Sequence, residues 1–176
     1  ALDSQGTHDW LDEERGGNRL LFGRYTGQTP VSGLRENKSA LKRLAETMVR
    51  QEREWGKVKD AGEEIRYHFS NMDGGEMWSR WDMQETPPDI LITNYSMLNI
   101  MLTRKHEKNI FQQTRDWIES DPRNRFHLIV DELHSYRGTP GTEVSYTLRL
   151  LIDRLGLTPD SEQLRILATS ASIGSD

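Results

Sequence analysis

The residues best suited to chemistry are Asp131, Glu132 and His134, in the run Leu128-Ile129-Val130-Asp131-Glu132-Leu133-His134. A short apolar run that reads as a buried strand delivers two adjacent carboxylates at its carboxyl end, and a histidine follows two residues on. This is the pattern of a Walker B motif in its DExH form. In that chemistry the first acid, Asp131, holds Mg²⁺ through water. The second, Glu132, orients and polarises the water that attacks a terminal phosphate. Neighbouring positions suit the two roles because a strand end projects successive side chains in different directions. His134 would link the nucleotide site to residues that sense nucleic acid. An acid pair after an apolar strand is nevertheless common, and alone it identifies nothing. A metal hydrolase would use the same Asp131, Glu132 and His134 as ligands, but it needs a second cluster, and His8, His68, His106 and His127 are scattered.

Two more segments sharpen the reading. Ala168-Thr169-Ser170-Ala171-Ser172 closes the next apolar run and follows the acid pair after a single helical crossover. In a parallel sheet these hydroxyls fall beside the acids, where Thr169 and Ser170 can hydrogen-bond His134 and report nucleotide state. Alone, such a Ser/Thr stretch is ordinarily a turn or a helix cap; paired with DELH at this spacing it is far more specific. Thr93-Asn94-Tyr95-Ser96-Met97-Leu98 follows a further apolar run, so Thr93 and Asn94 can offer a hydroxyl, an amide and backbone donors to a phosphate. Taken alone, that segment is equally a plain helix cap.

Four apolar runs must position these groups: Arg19 to Tyr25, Asp89 to Thr93, Phe126 to Val130 and Leu164 to Thr169. Their length and continuity predict strands buried on both faces of a mostly parallel sheet. Amphipathic stretches alternate with them. Ser39 to Gln51 carries Leu41, Leu44, Ala45 and Met48 at helical spacing, Tyr95 to Leu102 is short and apolar, and Asn109 to Glu119 sets Phe111, Trp117 and Ile118 among polar residues. Glu143 to Leu155 aligns Val144, Leu148, Leu151, Ile152 and Leu155, with Thr142 expected to cap it and Gly156 to stop it. Strands alternating with helices imply an α/β fold whose ligand lies beyond the carboxyl ends of the strands. The first long helix is expected to reach about Lys59. The remainder of the region from about 52 to 86, with Trp55, Trp78 and Trp81, reads as an irregular insertion that anchors on the sheet or meets another domain.

Composition limits the choice further. The 176 residues suffice for one domain, but 34% hydrophobic and 29% charged residues with a mean hydropathy of −0.78 are polar for an α/β core. Either the core is small, or residues outside this sequence complete it. The absence of cysteine excludes disulfides, thiolate zinc sites and cysteine nucleophiles. No apolar run approaches the roughly 20 residues that span a bilayer. Residues Ala1 to Trp10 lack the basic start and apolar stretch of a signal peptide, and a cytoplasmic location is expected. A net charge of −5 and a pI near 5.6 argue against a dedicated nucleic-acid-binding module. They argue only weakly against a motor that touches phosphates through backbone amides and a few side chains.

With these segments in hand, the chain resembles superfamily 2 DEAD/DEAH-box helicases in their first RecA-like domain, a P-loop NTPase fold. Asp131 to His134 matches motif II, Thr169 to Ser172 resembles motif III, and Thr93 to Leu98 occupies the place of motif Ib. Tyr25-Thr26-Gly27-Gln28-Thr29-Pro30 is similar to the strand and turn after motif Ia in YprA-like and Lhr-like helicases. Trp81-Asp82-Met83, the run from Pro87 to Asn94, and Ser135-Tyr136-Arg137-Gly138 resemble those large bacterial proteins, whose relatives serve in DNA repair and in phage-defence systems such as DISARM. The resemblance implies ATP and Mg²⁺ as cofactors, DNA ahead of RNA as partner together with the remaining helicase domains, and no membrane. It assigns catalysis to Asp131, Glu132 and His134, coupling to Thr169 and Ser170, and nucleic-acid contacts to Thr93, Asn94, Gly27 and Thr29. Gly138 and Gly141 would turn the loop after motif II. The departures are specific. No GxxxxGK[ST] phosphate loop occurs, and neither Gly16-Gly17 nor Gly74-Gly75 is followed by the required Lys-Ser/Thr. Motif Ia and the second RecA-like domain with its arginine finger are lacking too. The 176 residues are therefore expected to be one partial RecA-like domain, inactive on its own within a parent that hydrolyses ATP. The alternative is a non-catalytic, helicase-like scaffold of a repair or defence complex.

Overall fold

The structure, a computed structural model, describes residues 4–66, 68–71, 74–136 and 138–170. The chain divides into two units, Ala1–Asn94 and Tyr95–Asp176. The first runs through α1 (Gln5–Arg15), β1 (Phe22–Tyr25), α2 (Lys38–Val58), α3 (Glu63–Arg66), β2 (Glu76–Met77), α4 (Arg80–Glu85) and β3 (Ile90–Thr93). Polar side chains set where its helices begin. Ser4 Oγ accepts the Thr7 amide, Asn37 Oδ1 accepts the Ser39 and Ala40 amides, and Ser79 Oγ accepts the Asp82 amide. The left-handed Gly16, φ 60°, closes α1.

β1 lies centrally, parallel to β2 on one side and β3 on the other, with Phe22 opposite Ile90 and Tyr25 opposite Thr93. Asp89 holds the entry to this ladder, its carboxylate accepting the Leu21 amide at 2.8 Å. A Cβ at Gly23 would stand 2.5 Å from Met83 Sδ, so any larger residue there would require the buried Met83 side chain to shift. The core gathers Val31, Ala40 and Trp81, with Leu44 packed against them. The stretch expected to be an irregular insertion therefore contributes a strand, a capped helix and a buried tryptophan. Its two-residue strand is too short to show a period of two.

The second unit comprises α5 (Tyr95–Thr103), α6 (Lys108–Ser120), β4 (Phe126–Val130), a 3-10 turn at Leu133–Ser135, α7 (Thr139–Arg154) and β5 (Leu164–Ala168). α5 and α6 both pack on α7. The buried residues include Met101, Leu102, Ile110, Phe111, Ile118, Leu151, Ile152 and Leu155. The chain turns after α7 at Gly156, φ 72°, as expected, but α7 begins earlier than expected. Gly138 stands at its N-cap, and Thr142 lies inside the first turn with its hydroxyl on the Gly138 carbonyl. Pro140 near the start suits a position where a backbone N–H would lack an intrahelical partner.

Parallel strands flanked by helices make the fold α/β, consistent with part of a RecA-like domain. Burial departs from the expectation of strands covered on both faces. β3 and β4 alternate half-buried with exposed residues, and Ile129 and Ile166 are 64% and 53% exposed. Sheets of two or three strands leave one set of the alternating side chains open. Among the described residues, no helix is long and apolar enough to cross a membrane.

Candidate functional site

β4 and β5 run parallel in register from Phe126 opposite Leu164 to Val130 opposite Ala168, so both strands end at the same level. The ladder continues one step beyond them. Thr169 N–H donates to the Val130 carbonyl at 3.0 Å, and Leu133 N–H donates to the Thr169 carbonyl at 2.9 Å. The chain reverses between these two bonds at Glu132, whose φ of 52° and ψ of 44° are left-handed. Among the described residues Glu132 is the one non-glycine with positive φ, a conformation that costs about 1–3 kcal/mol and needs surrounding structure to hold it.

Thr169 supplies that structure. Its hydroxyl donates to the Asp131 carboxylate, and the same oxygen accepts the Glu132 amide at 3.2 Å. The Glu132 amide also lies 3.1 Å from Asp131 Oδ1. One threonine thus ties the first acid to the backbone of the second. On the other side of the turn, His134 Nδ1 stands 3.2 Å from Glu132 Oε2 and 3.3 Å from Ser170 Oγ. The sequence pattern pointed both hydroxyls at His134. The register instead gives Thr169 to the acid pair and Ser170 to the histidine, a division that spacing alone does not specify.

The acids sit in solvent at the strand end, with Asp131 and Glu132 both exposed and His134 half-buried. Asp131 Oδ1 carries the internal bonds. An exposed carboxylate held at one oxygen suits contact with a hydrated Mg²⁺ through water. Among the described residues no three His, Asp or Glu gather as a metal site. The metal-hydrolase alternative would require a cluster of that kind.

The first unit holds the other sequence candidates. The loop after β1 is tied back on itself. Thr29 is buried; its Oγ1 donates to the Arg24 carbonyl at 2.7 Å and accepts the Thr26 amide at 3.0 Å. Thr93 Oγ1 donates to the Tyr25 carbonyl at 2.8 Å. Two of the proposed nucleic-acid contacts, Thr29 and Thr93, therefore have hydroxyls engaged in holding the strand ends, and Thr29 is buried. Gly27 and Asn94 are exposed, and a Cβ at Gly27 would meet open space. Sequence reasoning did not single out Arg80, Gln84 or the phenol of Tyr25. Arg80 lies over the Tyr25 ring, 5.2 Å from its centroid, and donates to the Thr26 carbonyl at 2.6 Å. Gln84 donates to the Tyr25 hydroxyl at 2.7 Å. Only the distant pairing of β1 with α4 reveals them.

The glycines after the acid pair divide in the same way. Gly138 has the left-handed φ of 68° that a turn requires, whereas Gly141 lies within α7, where a Cβ would come 2.5 Å from the Tyr136 carbonyl oxygen. Of the remaining motif residues, Arg137, Ala171 and Ser172 lie outside the described residues.

No family model matches the chain, and no solved structure matches it. Over 100 residues, 57% of the chain, it is 47% identical to the Druantia protein DruE of Escherichia coli (strain UMEA 4076-1). The matched stretch is 5% of that relative, so the chain spans a small part of its length.

Proposed function

We propose that this chain is part of an ATP-dependent nucleic-acid helicase or translocase and supplies its motifs Ib, II and III. The observation that carries the reading is the hydrogen-bonded unit of Asp131, Glu132 and Thr169 at the level ends of two parallel strands. Such strand ends are where open α/β sheets receive ligands. A carboxylate anchored by a neighbouring strand and open to solvent suits a role beside a nucleotide. Mg²⁺, when bound, supplies charge to offset that developing on the phosphoryl oxygens.

Asp131 would hold that ion through water with its exposed carboxylate. Glu132 would accept a proton from, and orient, the attacking water, its backbone set by the Thr169 hydroxyl. His134 lies between the Glu132 carboxylate and Ser170 Oγ, so movement of the β5 end would reach the base through one imidazole. Thr93, Asn94 and Gly27 would lie along the nucleic-acid backbone, with Thr29 shaping the loop that presents Gly27. DNA is the proposed partner ahead of RNA, alongside the other domains of a longer parent. No GxxxxGK[ST] loop occurs in the 176 residues, so ATP hydrolysis is proposed for the parent and not for this segment alone.

The test is ATP turnover by the intact parent, with and without single-stranded DNA, beside Glu132→Gln. Nucleic-acid-stimulated turnover that disappears in the variant, with ATP binding retained, supports the motor. Undiminished turnover in Glu132→Gln overturns the assignment. A folded parent with no turnover on any nucleic acid leaves the helicase-like scaffold of a repair or defence complex.

A further inference from the structure

α2 differs in charge from the rest of the molecule. The chain carries a net charge of −5, yet this one helix holds six basic residues against three acidic. Four of the six, Arg43, Arg50, Arg53 and Lys57, recur at spacings of seven, three and four. At about 100° per residue they share an arc of about 80°. All four are exposed, and the buried Ala40 and the half-buried Leu44, Thr47, Gln51 and Trp55 lie along the adjoining arc of the helix. Two carboxylates near the ridge are already engaged, Glu46 with Lys42 at 3.8 Å and Glu54 with Lys57 at 2.6 Å. Among the described residues, Arg50 and Arg53 have no ion-pair partner. They stand on the open surface of α2, with Val49, Glu54 and Lys57 beside them. This surface belongs to the first unit, whereas the acid pair belongs to the second.

We infer that the Arg43–Arg50–Arg53–Lys57 ridge binds the phosphate backbone of a nucleic acid, at a contact separate from the motif residues. From Arg43 to Lys57 the helix advances about 21 Å, an axial length over which one duplex strand carries about six phosphates. Guanidinium groups offer forked donors that match phosphate oxygens, and three of the four ridge residues are arginine. An anionic lipid surface fits less well. The exposed Leu41 and Met48 lie on the far side of α2 from the ridge, so inserting them into a bilayer interface would turn the four cations away from the headgroups. The identity of the polyanion rests on the motor reading; the ridge itself does not.

The test is fluorescence anisotropy of a labelled single-stranded DNA with the intact parent, without nucleotide, across a salt series. The ridge variant carries Arg43→Gln, Arg50→Gln, Arg53→Gln and Lys57→Gln. The control removes equal charge elsewhere through Arg104→Gln, Lys105→Gln, Lys108→Gln and Arg149→Gln, all exposed. The ridge variant is expected to bind at least tenfold more weakly at about 0.1 M salt, with a log–log salt slope shallower by about two to three. The control keeps the parent slope, and Arg50→Lys with Arg53→Lys retains most of the affinity. Circular dichroism checks the helix, and Arg50→Gln alone provides a milder variant with a smaller loss in the same direction. Equal losses in ridge and control variants, no loss in either, or a ridge-dependent affinity for phosphatidylserine vesicles in place of DNA would overturn the inference. Failure here with Glu132-dependent turnover intact removes the ridge and leaves the motor. Ridge-dependent binding without any turnover removes the motor and leaves the ridge.

Discussion

Thr29 in the loop after β1, Thr93 as the last residue of β3, and Thr169 just past β5 are the same residue type, each near the carboxyl end of a parallel strand. In the first unit both hydroxyls donate to backbone carbonyls, of Arg24 and Tyr25. In the second unit the Thr169 hydroxyl donates to a carboxylate and accepts the amide of the neighbouring acid. The partner decides what the hydroxyl does. A bond to a buried backbone group holds a loop in shape, and its loss is felt in stability. A bond to an exposed acid sets where that acid points, and under the proposed function its loss would be felt in rate.

The strongest way to break this comparison is at the acids themselves. Glu132→Gln in the intact parent is expected to lower ATP turnover by about 10²–10⁴-fold while ATP binding persists, as measured by steady-state turnover and nucleotide titration. Thr169→Val comes next. It removes a hydrogen bond to a solvent-exposed carboxylate, where screening keeps the stability cost small, and is expected to reduce turnover by roughly ten- to a hundredfold through misplacement of the acids. Thr169→Ser should restore most of the rate, and a melting curve should show little change. A large fall in melting temperature with unchanged turnover would place Thr169 in the structural class instead.

Thr29→Val makes the opposite prediction. It leaves the Thr26 amide and the Arg24 carbonyl without their partner, at a cost of about 1–3 kcal/mol. Chemical denaturation should detect that cost, and ATP turnover per folded molecule in the absence of nucleic acid should hold. The smallest effect is expected at Asp121, where the side-chain and backbone hydrogen bonds of Arg123 hold the carboxyl below its usual range. A carboxyl whose folded value is lowered contributes stability above its unfolded value and loses it as pH falls through the folded one. Arg123 is exposed and Asp121 only half-buried, so solvent screens the pair, and Asp121→Asn should slightly flatten the acid side of a melting-temperature profile and change little at neutral pH.

Much of the skeleton was legible without coordinates. β4 spans Phe126–Val130 as its apolar run predicts, α5 begins at Tyr95, and one crossover between the acid pair and Thr169 suffices to expect parallel neighbours. The rest was hidden for identifiable reasons. β2 exists because Glu76 and Met77 pair with β1, more than fifty residues away, and two residues carry no pattern. α1 is polar on most of its surface and buries Leu11 as its one fully enclosed side chain among the described residues. The basic ridge of α2 was present in the letters but diluted by the acidic average of the whole chain.

The sequence by itself determined the residue types that can act, their order, and the alternation of strand and helix that brings Asp131 and Thr169 to the same end of a sheet. Periodicity and turn chemistry are local properties, and local sequence carries them. Only the tertiary structure decided that Thr169 holds the acids while Ser170 meets His134, that Glu132 turns left-handed, and that Thr29 faces inward. Each of these depends on register and burial, which arise from partners far along the chain.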